Sequence, residues 1–225
     1  LSLEARAEGR ALIQRTTSSC PPVLAYEATD PRCAAANRAA FAALRHHFTV
    51  ISGGPGTGKT YVSAKAIVAL VRTGRRVAVS SNSHRAIGNL LKGVAEEAGD
   101  QGVECRIAQK VSDPSDAGDH PAVQVVSDNE APEIAAADVV GATSWHFARY
   151  DDAAFDHLVI DEAGQVSLAN VMAMSRVARN IVLVGDPMQL PQPIQGAHPG
   201  ESGLSSLEYL IGEHPTVPAD RGIFL

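Results

Sequence analysis

The chain has 225 residues, 45% hydrophobic and 20% charged, with a net charge of −6. That length suffices for one domain with a substantial core, and no apolar run approaches the ~18–20 residues a membrane span needs. The acidic balance argues against a protein that coats duplexes with a basic face, but it leaves room for a local groove that grips a strand.

The first residues, LSLEARAEGR, alternate in charge and lack the apolar centre of a secretory signal. Residues 3–15 are predicted to form a charged amphipathic helix, followed by the proline-containing stretch CPPVLAYEATDPRC. Residues 1–33 are thus read as a helix and linker ahead of the main domain, which spans 34–225. An Ala-rich helix is expected over 34–46, and His46–His47 at its end reads as solvated, since adjacent helical residues point in different directions. The three cysteines, Cys20, Cys33 and Cys105, lack the paired spacing of a metal site and read as reduced thiols of a cytosolic protein.

From residue 48 onward short apolar runs alternate with helical patterns, which predicts an α/β fold with a parallel sheet. The predicted strands are 48–52, 76–81, 103–108, 138–143, 157–162 and 180–186. Helices are expected at 59–73, 83–98, 167–178 and 203–212. The polar stretch 109–130 is read as a surface excursion, and the ends at Leu1 and after GIFL suggest a segment of something longer. Three strands run into chemically marked turns, ISGGPGTGKT, VIDEAGQ and VLVGDPMQL, and in open parallel sheets ligands gather at such carboxyl ends.

GGPGTGKT fits the phosphate-binding loop pattern G-x-x-x-x-G-K-[ST] between an apolar strand and an amphipathic helix. Gly53, Gly54, Pro55, Gly56, Thr57 and Gly58 would curl the backbone so that N–H groups face phosphates. Lys59 would reach the outer phosphates, and the Thr60 hydroxyl would ligate Mg²⁺. In VIDEAGQ, Asp161 would serve the metal through water, and Glu162 would orient and deprotonate an attacking water. Gln189, in VGDPMQL, would sense the terminal phosphate of the nucleotide, although Asp186–Pro187 also fits an ordinary β-turn.

Taken in order, GGPGTGKT, SSNSHRAIGNLL, VVGATSW, VIDEAGQ and VGDPMQLPQ resemble motifs I, Ia, Ic, II and III of superfamily 1 DNA/RNA helicases. The resemblance covers residues 34–225 and favours the 5′-to-3′ branch with a DEAxQ motif II. It is closest to bacterial proteins in which a RecB-like nuclease domain precedes the motor. It implies a RecA-like P-loop NTPase, a parallel sheet with helices on both faces, as the first motor domain of a cytoplasmic helicase. It also implies ATP and Mg²⁺ as cofactors, a single nucleic-acid strand (DNA in preference to RNA) as partner, and Ser81, Asn82 and Thr143 along that strand. Where the family carries an adenine-reading glutamine, AANRAAFAAL offers the shorter Asn37. A second lobe with an arginine finger is expected beyond Leu225, so turnover by this segment alone is expected to be slow. Two other readings remain open at this point: a P-loop kinase for a small molecule, and a non-catalytic nucleotide-gated interaction module.

Overall fold

The computed structural model describes residues 48–189, 204–212, 214, 216–218 and 222–225. The expectations for 1–33, for the helix at 34–46 and for Asn37 lie outside those residues. The described chain forms one eight-stranded sheet: β1 (Phe48–Ser52), β2 (Val77–Ser80), β3 (Ile107–Lys110), β4 (Val123–Val126), β5 (Val139–Gly141), β6 (Phe155–Ile160), β7 (Ala178–Gly185) and β8 (Gly222–Phe224). All pairings are parallel, in the order β4-β3-β5-β2-β6-β7-β1-β8.

Successive strand residues face opposite sides of a sheet, and here both sides are covered. Ile51, Val77, Val79, Val159, Val182 and Val184 enter one apolar cluster with α1 (Lys59–Arg72) and α2 (His84–Asp100). Val50, Ala78, Leu158, Ile160, Ile181 and Leu183 enter the other, beneath α3 (Pro132–Ala136), α4 (Ser144–Phe147), α5 (Leu168–Met174) and α6 (Ser206–Ile211). This two-sided burial explains why the central strands read as unbroken apolar runs. No helix among the described residues is long and apolar enough to cross a membrane.

Local signals set the helix ends. Ser83 caps α2 by accepting the Ala86 N–H at 3.2 Å, and α1 gives way to Gly74, whose φ of 77° suits a residue without Cβ. A capping box between Ser205 and Glu208 starts α6.

Several expectations need correcting. The stretch 109–130 is not wholly an excursion: Gln109 and Lys110 finish β3, and Val123–Val126 form the edge strand β4. Only Val123 and Val126 of β4 are buried, so its apolar signal is half that of a central strand. The predicted strand at 103–108 starts late because the Val103 N–H is spent on the Ala98 carbonyl (2.8 Å), and pairing with β5 begins at Ile107. The strand expected at 157–162 runs from Phe155 to Ile160, which releases Asp161 and Glu162 into a turn. Gly222–Phe224, read as a tail, pairs with β1 as β8.

Candidate nucleotide and strand site

Because every strand points the same way, all the marked turns emerge at one edge of the sheet. Along that edge lie, in sheet order, Thr143 after β5, Ser81 and Asn82 after β2, Asp161 and Glu162 after β6, Gln189 beyond β7, and the loop after β1.

The loop Gly53–Gly58 is anchored at its start by the Gly53 N–H, which donates to the Gly185 carbonyl at 3.3 Å. A Cβ on Gly53 would lie 2.6 Å from the Thr57 hydroxyl, which donates to the Gly54 carbonyl at 2.9 Å. Gly56 and Gly58 take φ of 76° and 86°, and a Cβ at either would meet open space. Gly58 caps α1 without any side-chain acceptor, so the first turn of that helix presents N–H groups to the opening. The Lys59 ammonium folds back to donate to the Gly53 and Gly54 carbonyls at 2.8 and 2.9 Å. Thr60 is exposed in the first turn of α1.

Asp161 is only 6% exposed and directly follows β6. Burial pushes its carboxyl up to about 6; the Glu162 N–H donating to Oδ1 at 3.0 Å and the Lys59 charge oppose that rise, and the Glu162 charge adds to it. Glu162 has φ of 51°, the single positive value for a non-glycine among the described residues. This left-handed step turns the chain from β6 into the 3-10 turn Ala163–Gln165, leaving the Glu162 side chain half-exposed beside Asp161. Neighbouring elements brace the turn. Ser206 of α6 donates to the Ala163 carbonyl at 3.1 Å, and a Cβ on Gly164 would stand 2.8 Å from the Asp186 carbonyl.

At the next strand end, the Asp186 carboxylate accepts the Met188 N–H at 2.9 Å and its carbonyl accepts the Gln189 N–H at 3.3 Å. Asp186 is therefore occupied in forming the β-turn, and that turn carries Gln189 exposed at the same edge.

Ser81 is buried and donates to Asn82 Oδ1 at 3.3 Å, whereas Asn82 is exposed. Thr143 caps α4 by its backbone position, yet its hydroxyl makes no capping bond. None of the three side chains is thus used as a helix cap. The sequence gave no warning of Gln165, whose side-chain oxygen accepts from Asn82 Nδ2 and so ties the turn after β6 to the end of β2. Its only signal was the last letter of DEAGQ.

The sequence model of a family described as AAA domain matches residues 36–195. The chain is 29% identical over 186 residues to the DNA replication ATP-dependent helicase/nuclease dna2 of Schizosaccharomyces pombe, covering 75% of this chain and 12% of that protein. It is 30% identical over 179 residues to the DNA replication ATP-dependent helicase/nuclease JHS1 of Arabidopsis thaliana, covering 75% of this chain and 13% of that one. Among solved structures, the UvsW helicase from Bacteriophage T4 overlays with a TM-score of 0.49 at 9% identity, covering 78% of this chain and 59% of that one. The chain spans about an eighth of the length of the curated relatives it matches.

Proposed function

We infer a function from one premise: the chain belongs to the AAA domain family, as a superfamily 1 helicase motor domain. We propose that residues 34–225 are the first motor lobe of an ATP-driven helicase or translocase, with residues 1–33 as a preceding helix and linker. On this reading the lobe hydrolyses ATP with Mg²⁺, grips a single strand of DNA in preference to RNA, and works in the cytoplasm. A second lobe and a nuclease domain would complete the longer protein.

The observation that carries the proposal is the convergence, at one sheet edge, of an open glycine cradle, a lysine inside it, and a buried carboxylate facing that lysine's charge. A buried carboxylate without a bonded cationic side chain is costly unless a cation compensates it. Asp161 and the Thr60 hydroxyl form the hard-oxygen donor pair that Mg²⁺ prefers. When bound, that ion would supply charge neutralisation on the phosphate oxygens.

The remaining roles fall to the chain itself. Gly53–Gly58 and the N-terminal turn of α1 would hold the phosphates by backbone N–H groups. Lys59 would exchange its two carbonyl acceptors for phosphate oxygens. Glu162, set beside Asp161 by its left-handed backbone, would orient a water and take its proton. Gln189 would report the presence of the terminal phosphate, and Asn37 would contact the base. Asn82 and Thr143 would meet strand phosphates through groups that carry no sequence information, with Ser81 positioning Asn82.

Replacing Glu162 with Gln tests the assignment. Nucleotide binding should stay within a few-fold of the parent, while strand-stimulated hydrolysis in the full-length protein falls by about 10²-fold or more. Undiminished turnover would place water activation elsewhere, and hydrolysis indifferent to added strand would sink the motor reading.

A further inference from the structure

Trp145 is the single tryptophan of the chain, and it is 85% exposed. Its immediate neighbours behave in the opposite way. Phe147 is fully buried, and His146 is buried with Nδ1 3.0 Å from Asn129 Oδ1. Edge-to-face contacts of Phe147 with His146 and Phe155, at 5.4 and 5.9 Å between ring centres, fix α4 on the sheet. Trp145 is therefore a large aromatic held outward by an anchored helical turn, not a residue of a loose loop.

Its place in the sheet gives the exposure a meaning. β5 pairs with β2 in parallel through Val79↔Gly141, and the Ala142 N–H continues the ladder to the Val79 carbonyl at 2.9 Å. The chain beyond Ala142 thus leaves the sheet beside the chain beyond Ser80. Thr143 and Trp145 stand next to Asn82, whose Nδ2 bonds Gln165 at the turn carrying Glu162. Arg85 and Arg149 are exposed on the adjoining helical turns. A flat aromatic, polar side chains and scattered cations form the combination by which proteins hold unpaired bases without reading sequence.

We propose that Trp145 is a stacking platform for one base of a bound single strand, next to the phosphate contacts of Asn82 and Thr143. The proposal rests on the strand-binding reading above and adds a positioning residue to it. Stacking would fix where the strand sits relative to the turn that carries Glu162, so nucleotide-dependent movement of that turn would be felt at a defined base.

The lone tryptophan supplies its own readout. The chain is titrated with a labelled oligothymidylate of about 15 nucleotides, following both label anisotropy and tryptophan emission. We expect solvent-exposed emission in the free chain, quenched in step with the rise in anisotropy. Trp145→Ala should weaken binding by about 10-fold, and Trp145→Phe should restore most of it. Anisotropy that rises while emission stays unchanged, with Trp145→Ala binding as the parent does, overturns the stacking role and spares the strand-binding reading. An unchanged anisotropy overturns both. Blue-shifted emission in the free chain, insensitive to the oligonucleotide, means that another part of the protein covers the ring, and it also overturns the proposal.

Discussion

Lys59 uses two of its donors on carbonyls of its own loop, so the loop is held in shape before any ligand arrives. Each such bond contributes only about 1 kcal/mol net, and the cradle is otherwise fixed by its glycines and by the Gly53 tie to Gly185. Lys59→Ala should therefore lower the denaturation free energy by no more than about 1–2 kcal/mol. The same change should abolish the gain in melting temperature that ATP confers on the parent. A variant that still gains stability with ATP would mean that the ammonium is only a brace. At this scale the sequence was most legible, because glycine freedom, the lysine and the two acids depend on local spacing. Gln165 was not legible: its partner Asn82 lies 83 residues away, and only the adjacency of β2 and β6 brings them together.

Elements meet most closely where the turn after β6 passes the end of β7. A Cβ on Gly164 would press on the Asp186 carbonyl at 2.8 Å, and one on Gly185 would fall 2.7 Å from Leu207 Cδ1 of α6. Backbone cannot give way as a side chain can, so Gly164→Ala should cost about 1–3 kcal/mol in denaturant titrations. It should also slow hydrolysis, since the displaced turn holds Glu162. Gly99→Ala, in α2 with nothing within 4 Å of the added carbon, should instead be neutral or stabilising by up to ~1 kcal/mol. The central strands were readable for the reason these contacts are tight: both faces are buried. The edges were not. β4 buries two of its four residues and β8 has three residues, so neither reaches the run length that marks a strand.

Across the whole molecule, two buried groups pull the acid response in opposite directions. Asp161 is raised from 3.8 to about 6, so the stability tied to its neutral form is present below 3.8 and lost as pH rises through about 6. His146 is lowered from 6.5 to about 4 by burial, with Lys110 and Arg149 adding to it; stability tied to its neutral form is present above 6.5 and lost as pH falls through about 4. Over most of that interval the two effects offset one another. Asp161→Asn should raise the stability of the nucleotide-free chain near neutrality by on the order of 2 kcal/mol. It should also steepen the loss between 6.5 and about 4, because the histidine then acts unopposed. Denaturant midpoints measured across that range check both. The same variant should lose any Mg²⁺-dependent rise in melting temperature, so the site would gain stability by giving up its metal.

The strand that leads into the phosphate loop is the first described in the chain, yet both of its partners come from the other end: β7 begins at Ala178 and β8 at Gly222. During synthesis β1 therefore has no neighbour until well over a hundred further residues have left the ribosome. Parallel pairings of such separation form slowly and leave apolar strands exposed while they wait. The nucleotide cradle is thus among the last parts of the sheet to assemble, and recovery of ATP-dependent stabilisation during refolding should lag behind the docking of α1 on α2.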